Sequence, residues 1–121
     1  MTFDSVEVFP ITAGLTDDGH LTLGGCDVTD LASRFGTPLY VYDEDTLRQV
    51  CREFVGEFGS RYPDVRVLYA AKAYINLALA RLLDEEGLGM DVVSGGEQAV
   101  AMAAGMPLEK VYLHGNNKSP D

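Results

Sequence analysis

From Leu39 onward the sequence alternates a short apolar run with a longer amphipathic one, and it does so four times. Leu39-Tyr40-Val41-Tyr42 reads as a strand. Asp43, Glu44 and Asp45 then place negative charge where a helix start favours it, and Leu47, Val50, Cys51, Phe54 and Phe58 form one apolar inner face up to Gly59. Val65 to Ala71 is a second strand, after which Asn76 caps a helix carrying Leu77, Ala80 and Leu83 and ending at Gly87. Met90-Asp91-Val92-Val93 is the third strand. Ser94 and Glu97 have the spacing of a capping box and open a helix through Val100 and Ala104 that stops at Gly105. Val111-Tyr112-Leu113 is the fourth strand. Because the chain must cross back through each helix before the next strand begins, the strands pair in parallel, and the class is α/β.

The spacing narrows the architecture. The strand centres Tyr40, Leu68, Val92 and Tyr112 stand roughly 20 to 28 residues apart, so eight such units need on the order of 200 residues, near the usual size of a (β/α)8 barrel. Four units in 121 residues amount to half a barrel, or to a small open doubly wound sheet. On the first reading the chain is an N-terminal fragment, expected to be inactive alone and to carry an unpaired parallel strand edge. Residues 1–25 differ in character: Val6 to Phe9 and Leu21 to Leu23 are short extended pieces separated by Pro10, Gly14, Asp17-Asp18-Gly19 and Gly24-Gly25. They form an arm with no core of its own. Asp27 caps a short helix with Val28, Leu31 and Phe35 on one face, stopped by Gly36. The expected division is therefore an arm over 1–25 and barrel units over 26–121.

Charge and composition exclude several functions. With 19 acidic and 9 basic residues the net charge is −10, which repels nucleic-acid backbones and anionic lipid surfaces. The start carries Asp4 and Glu7 where an export signal carries Lys or Arg, and the most apolar segment, Val67 to Leu83, is broken by Lys72, Asn76 and Arg81. A soluble protein without membrane or nucleic-acid partners is expected. Cys26 and Cys51 form no CxxC pair, which argues against a metal site or a disulfide framework and fits a reducing cytoplasm.

In either architecture the functional side is the carboxyl end of the strands. Standing there are Asp43, Lys72, Asp91, Ser94, and the run His114-Gly115-Asn116-Asn117. Lys72 is the one charged residue between Arg66 and Arg81, among the small neighbours Ala70, Ala71 and Ala73. Strand alternation puts Leu68, Ala70 and Lys72 on one side, aiming the amine at the barrel mouth, where partial desolvation makes it a nucleophile for a carbonyl carbon. A solvated strand-end lysine explains the same pattern. Asp91, inside an apolar strand, needs a partner: Lys72 on the neighbouring strand, or loop backbone donors. Ser94-Gly95-Gly96 reads as an anion nest or simply as half of the capping box with Glu97, and His114 as an acid, a base or a loop anchor.

Four stretches carry a resemblance: Gly36-Thr37-Pro38-Leu39-Tyr40-Val41-Tyr42-Asp43, Tyr69-Ala70-Ala71-Lys72-Ala73, Glu86 to Glu97 with its core Asp91-Val92-Val93-Ser94-Gly95-Gly96-Glu97, and His114-Gly115-Asn116-Asn117-Lys118-Ser119. Over about residues 20 to 121 the chain resembles the N-terminal part of the diaminopimelate decarboxylase family, pyridoxal-phosphate enzymes of the alanine-racemase-like barrel group. The resemblance implies that Lys72 carries pyridoxal 5'-phosphate as a Schiff base and that Asp91 lines the cofactor pocket. It implies decarboxylation of meso-2,6-diaminopimelate to L-lysine and carbon dioxide, a small amino-acid substrate, a cytoplasmic homodimer, and pairing of the N-terminal strands with a C-terminal β domain. The YAxKA element marks the wider group, which includes decarboxylases of ornithine and arginine type, and an ornithine, arginine or carboxynorspermidine decarboxylase is the alternative reading. A non-catalytic α/β domain, with Lys72 and Asp91 as a buried ion pair, is the other.

Overall fold

The structure, a computed structural model, describes residues 8–116 and 118. The chain divides into two compact units, residues 1–50 and 51–121.

In the first unit three short strands, β1 (Gly14–Leu15), β2 (Leu21–Leu23) and β3 (Cys26–Asp27), form an antiparallel sheet in the order β1-β2-β3, with Thr22 opposite both Gly14 and Asp27. Helix α1 (Val28–Phe35) starts as the sequence requires: the Asp27 carboxylate accepts hydrogen bonds from the Thr29 N–H at 2.8 Å and the Thr29 hydroxyl at 2.7 Å. It stops at Gly36, whose φ of 81° suits a residue without a side chain and whose N–H reaches the Ala32 carbonyl at 2.8 Å. The peptide Thr37–Pro38 is cis.

The strand expected at Leu39 to Tyr42 is not formed. These residues pair with no strand among the described residues, and Tyr40 is 88% exposed. Strand-forming side chains hold a ladder only when a neighbouring backbone completes it. The chain instead enters helix α2 (Glu44–Arg61) directly, with Asp43 accepting from the Thr46 N–H at 2.8 Å.

In the second unit β4 (Leu68–Ala70), β5 (Gly89–Val92) and β6 (Val111–Leu113) are parallel, in the order β4-β5-β6. Successive strands are neighbours, the progression a barrel uses. The crossovers contain α3 (Leu77–Glu85) and α4 (Gly95–Ala103), with 3-10 turns at Ala71–Ala73 and Leu108–Lys110. The core lies where β5 meets α3 and α4: Met90, Val92, Ala80 and Ala101 have no exposed surface, and Leu79, Leu82, Leu83, Leu88 and Met106 are buried around them. Gly89 is required by close approach, since a Cβ there would stand 2.6 Å from both the Leu68 Cδ2 and the Lys110 carbonyl oxygen.

The apolar face read along α2 is not buried as expected. Only Cys51 is, whereas Val50, Phe54 and Phe58 are 43%, 51% and 46% exposed. Phe54 and Phe58 stack on each other instead, with ring centroids 6.4 Å apart and planes 9° from parallel.

Candidate active site

The carboxyl end of β4 determines how Lys72 is presented. The strand ends at Ala70 and the next three residues wind into a 3-10 turn, so Lys72 leaves the alternation that links Leu68 and Ala70. The expectation that it continues the strand is therefore corrected: Lys72 sits on a turn beyond the ladder, next to Ala71, which is 2% exposed and anchors the turn. Lys72 itself is exposed.

Asp91 occupies the third position of β5, half-buried, opposite Ala70 on one side and Tyr112 on the other. The expected ion pair with Lys72 is absent among the described residues. Register explains this, because Asp91 lies level with Ala70, and the turn carries Lys72 off the ladder two residues later.

Three tyrosine and asparagine groups surround that turn. The Tyr69 hydroxyl donates to the Tyr74 carbonyl at 2.8 Å, closing a bond from the residue before Ala70 to the residue after Ala73. Asn76 donates through Nδ2 to the Tyr74 hydroxyl at 3.1 Å, and its Oδ1 accepts from the Leu79 N–H at 2.8 Å as the cap of α3. The sequence reading finds Asn76 as a cap but gives Tyr69 and Tyr74 no part. The available signal is two tyrosines five positions apart with the lysine between them.

The other candidates are accounted for by the backbone. Ser94 Oγ accepts from the Glu97 N–H at 3.2 Å and the Glu97 carboxylate accepts from the Val93 N–H at 2.8 Å, so the capping box is formed. The His114 N–H donates to the Val92 carbonyl at 2.8 Å, extending the β5–β6 pairing by one residue, and the Lys118 amine donates to the Leu113 carbonyl at 2.6 Å. Asn117 and Ser119 lie outside the described residues.

Asp43 is a structural junction. Its carboxylate accepts from the hydroxyls of Thr12 and Thr46, Thr12 Oγ1 accepts from the Gly24 N–H at 2.8 Å, and Thr46 Oγ1 accepts from the Ile11 N–H at 3.0 Å. Burial pushes the Asp43 carboxyl up, but the hydrogen bonds from Thr12 and Thr46 outweigh it and hold the group below the usual carboxylate range. An open cleft of about 530 Å³ in this unit is lined by Leu23, Cys26, Leu31, Val41, Tyr42 and Asp43, among others, and contains neither Lys72 nor Asp91. Among the described residues no group of three or more His, Cys, Asp or Glu side chains is placed to hold a metal ion, and no helix is long and apolar enough to cross a membrane.

Comparison with known proteins decides what the lysine turn belongs to. Residues 45–121 match the family model described as pyridoxal-dependent decarboxylase, pyridoxal binding domain. The chain belongs to the pyridoxal-dependent decarboxylases. It is 46% identical over 108 residues to the diaminopimelate decarboxylase of Bacillus methanolicus, a match covering 89% of this chain and 25% of that protein. To the enzyme of the same name from Bacillus subtilis (strain 168) it is 47% identical over 108 residues, with the same coverage. A crystal structure of diaminopimelate decarboxylase from M. jannaschii in co-complex with L-lysine superposes with a TM-score of 0.77 at 35% identity, covering 90% of this chain and 26% of that one. The chain thus spans about a quarter of the length of these relatives. The α/β class and the reading as the opening units of a pyridoxal-binding barrel are borne out.

The residues fit a pyridoxal group. Such a group needs a primary amine within reach of its aldehyde, and Lys72 supplies an exposed one on a short turn, with no ion pair or hydrogen bond holding it among the described residues.

Proposed function

We propose that the protein carrying this chain removes carbon dioxide from meso-2,6-diaminopimelate to give L-lysine, with Lys72 as the residue that holds pyridoxal 5'-phosphate. The observation that carries this reading is the Lys72 turn itself: an exposed primary amine at the carboxyl end of a parallel strand, in the segment matched by a pyridoxal-binding domain. The names of the relatives, and the L-lysine bound to one of them, support the choice of substrate over ornithine, arginine or carboxynorspermidine.

When bound, pyridoxal phosphate supplies an aldehyde that condenses with amines and a pyridinium ring that takes up the electron pair left by a departing carboxylate. This chain's own contribution is to hold and release. Lys72 would hold the cofactor through its side-chain amine, and its exposed position would leave room for a substrate amine to take that place. Asp91, half-buried at the same end of the sheet, lines the cofactor pocket in this reading. The short 3-10 turn keeps the lysine backbone off the ladder, so that the side chain is free to let go and return.

The further assignments belong to the same proposal: residues 1–25 as an arm that pairs with a β domain, residues 26–121 as barrel units, a homodimer, and a cytoplasmic location without nucleic-acid or membrane partners. The net charge of −10 supports the absence of polyanion partners. The test is Lys72→Ala in the protein, assayed for lysine and carbon dioxide release from meso-diaminopimelate alongside a circular-dichroism check of folding. Activity lost with folding retained is the expected result. Retained turnover removes Lys72 from the chemistry, and turnover of ornithine or arginine in preference to diaminopimelate removes the substrate assignment.

A further inference from the structure

The cofactor lysine stands at the middle of a six-residue segment whose two ends are joined by a side-chain hydrogen bond. Tyr69, the second residue of β4, donates its hydroxyl to the carbonyl of Tyr74 at 2.8 Å. Between them lie Ala70, the last strand residue, the 3-10 turn Ala71–Ala73, and Lys72 at the centre of that turn. A 3-10 turn of three residues has poor hydrogen-bond geometry of its own and is readily remodelled. Here it is flanked by extended residues on both sides, Ala70 at φ −77°, ψ 100° and Tyr74 at φ −174°, ψ 140°, so the helical backbone does not continue in either direction to support it. It is anchored by Ala71, 2% exposed in the core, and by the Tyr69 to Tyr74 bond.

The chain of bonds continues beyond the turn. The Tyr74 hydroxyl accepts from Asn76 Nδ2 at 3.1 Å, and Asn76 Oδ1 caps α3 through the Leu79 N–H at 2.8 Å. The end of β4, the lysine turn and the start of α3 are therefore joined by Tyr69, Tyr74 and Asn76 in sequence. The core groups around β5 and α3 fix both ends of this series, since Leu79 and Ala80 on α3 and Met90 on β5 are buried.

We propose that Tyr69 is a positioning residue for Lys72: its hydroxyl, bonded to the Tyr74 carbonyl, fixes the turn on which the cofactor-bearing amine stands. This rests on the reading of Lys72 as that residue. An amine presented on a fixed turn meets the aldehyde with less conformational freedom to lose, so attachment is favoured by pre-organisation. Tyr69 acts through the backbone and makes no contact with the reacting atoms in this account.

The test compares the protein with its Tyr69→Phe and Tyr74→Phe variants. Each is incubated with pyridoxal phosphate, reduced with borohydride, and mapped by peptide mass spectrometry, with the adduct at Lys72 expressed relative to that at Lys110 in the same sample. The Tyr69 variant keeps the ring and loses only the hydroxyl, and the Lys72 to Lys110 ratio is expected to fall about fivefold, the equivalent of one net hydrogen bond. Amide exchange over residues 71–74 is expected to quicken in the same variant. The Tyr74 variant, which retains the backbone carbonyl that Tyr69 reaches, is expected to keep the ratio within about twofold of the parent, because the hydroxyl it loses does not close the turn. Partial unfolding would alter labelling at both lysines and would not select Lys72. If Lys72 is labelled in the parent and the Tyr69→Phe ratio is unchanged, the positioning role is wrong and the assignment of Lys72 stands. If Lys72 is not labelled in the parent, that assignment falls and the positioning role falls with it.

Discussion

Asp27 shows how single side chains set this chain's local structure. Hydrogen bonds from the Thr29 hydroxyl, from His20 and from the Thr29 N–H bring its carboxyl down to about 2. A carboxyl lowered in the folded state stabilises that state above its ordinary value and ceases to do so once protonated. The contribution is therefore complete above about pH 4 and lost as pH falls through about 2. Amide exchange of Thr29 followed by NMR from pH 5 to pH 2 is expected to lose protection across that window, and Asp27→Asn to abolish the step; flat protection across the whole range contradicts it. Asn76 acts likewise at the head of α3. Asn76→Ala is expected to cost about 1 kcal/mol in a urea unfolding experiment, as removal of a cap does, and no change would mean that the observed bond to Leu79 is not used.

The helices and strands divide by how local their causes are. The caps at Asp27, Asn76 and Ser94, the stop at Gly36 and three of the four expected strands are all legible in the sequence, because each rests on residues a few positions apart. Leu39 to Tyr42 has the same apolar, β-prone character but forms no strand, since a ladder needs a neighbour that local sequence does not supply. Periodicity also reads the apolar face of α2 without showing what covers it, and Phe54 and Phe58 remain half exposed. The place of Lys72 at the carboxyl end of β4 is legible, whereas its departure from the strand and the absence of a pair with Asp91 depend on where β4 stops, which alternation alone does not reveal. On β5 the close approach at Gly89 predicts a sharp cost. Gly89→Ala is expected to destabilise the protein by about 1–3 kcal/mol by overpacking against the Lys110 carbonyl and Leu68, read as a lowered urea midpoint; an unchanged midpoint would show that the strands can part there without penalty.

At the scale of the whole molecule, burial is unevenly distributed. Every buried apolar residue among those described lies between Cys51 and Met106, and the residues before them contribute none. Exchange protection is therefore expected to be greatest for the amides of β5 and α3 and to be lost first over residues 8–42, a pattern that hydrogen-exchange mass spectrometry resolves directly; equal protection in both regions would contradict the placement of the core. The same unit carries the Lys72 turn, so the best-packed part of the chain also presents this exposed amine. The central claim is that this amine, rather than any other, takes up the cofactor. Its most direct test is the absorbance of the protein titrated with pyridoxal phosphate, before and after Lys72→Ala. An imine band that saturates at one equivalent in the parent and is missing in the variant is the predicted result. A band of equal size in both, carried by Lys110 or Lys118, would contradict it.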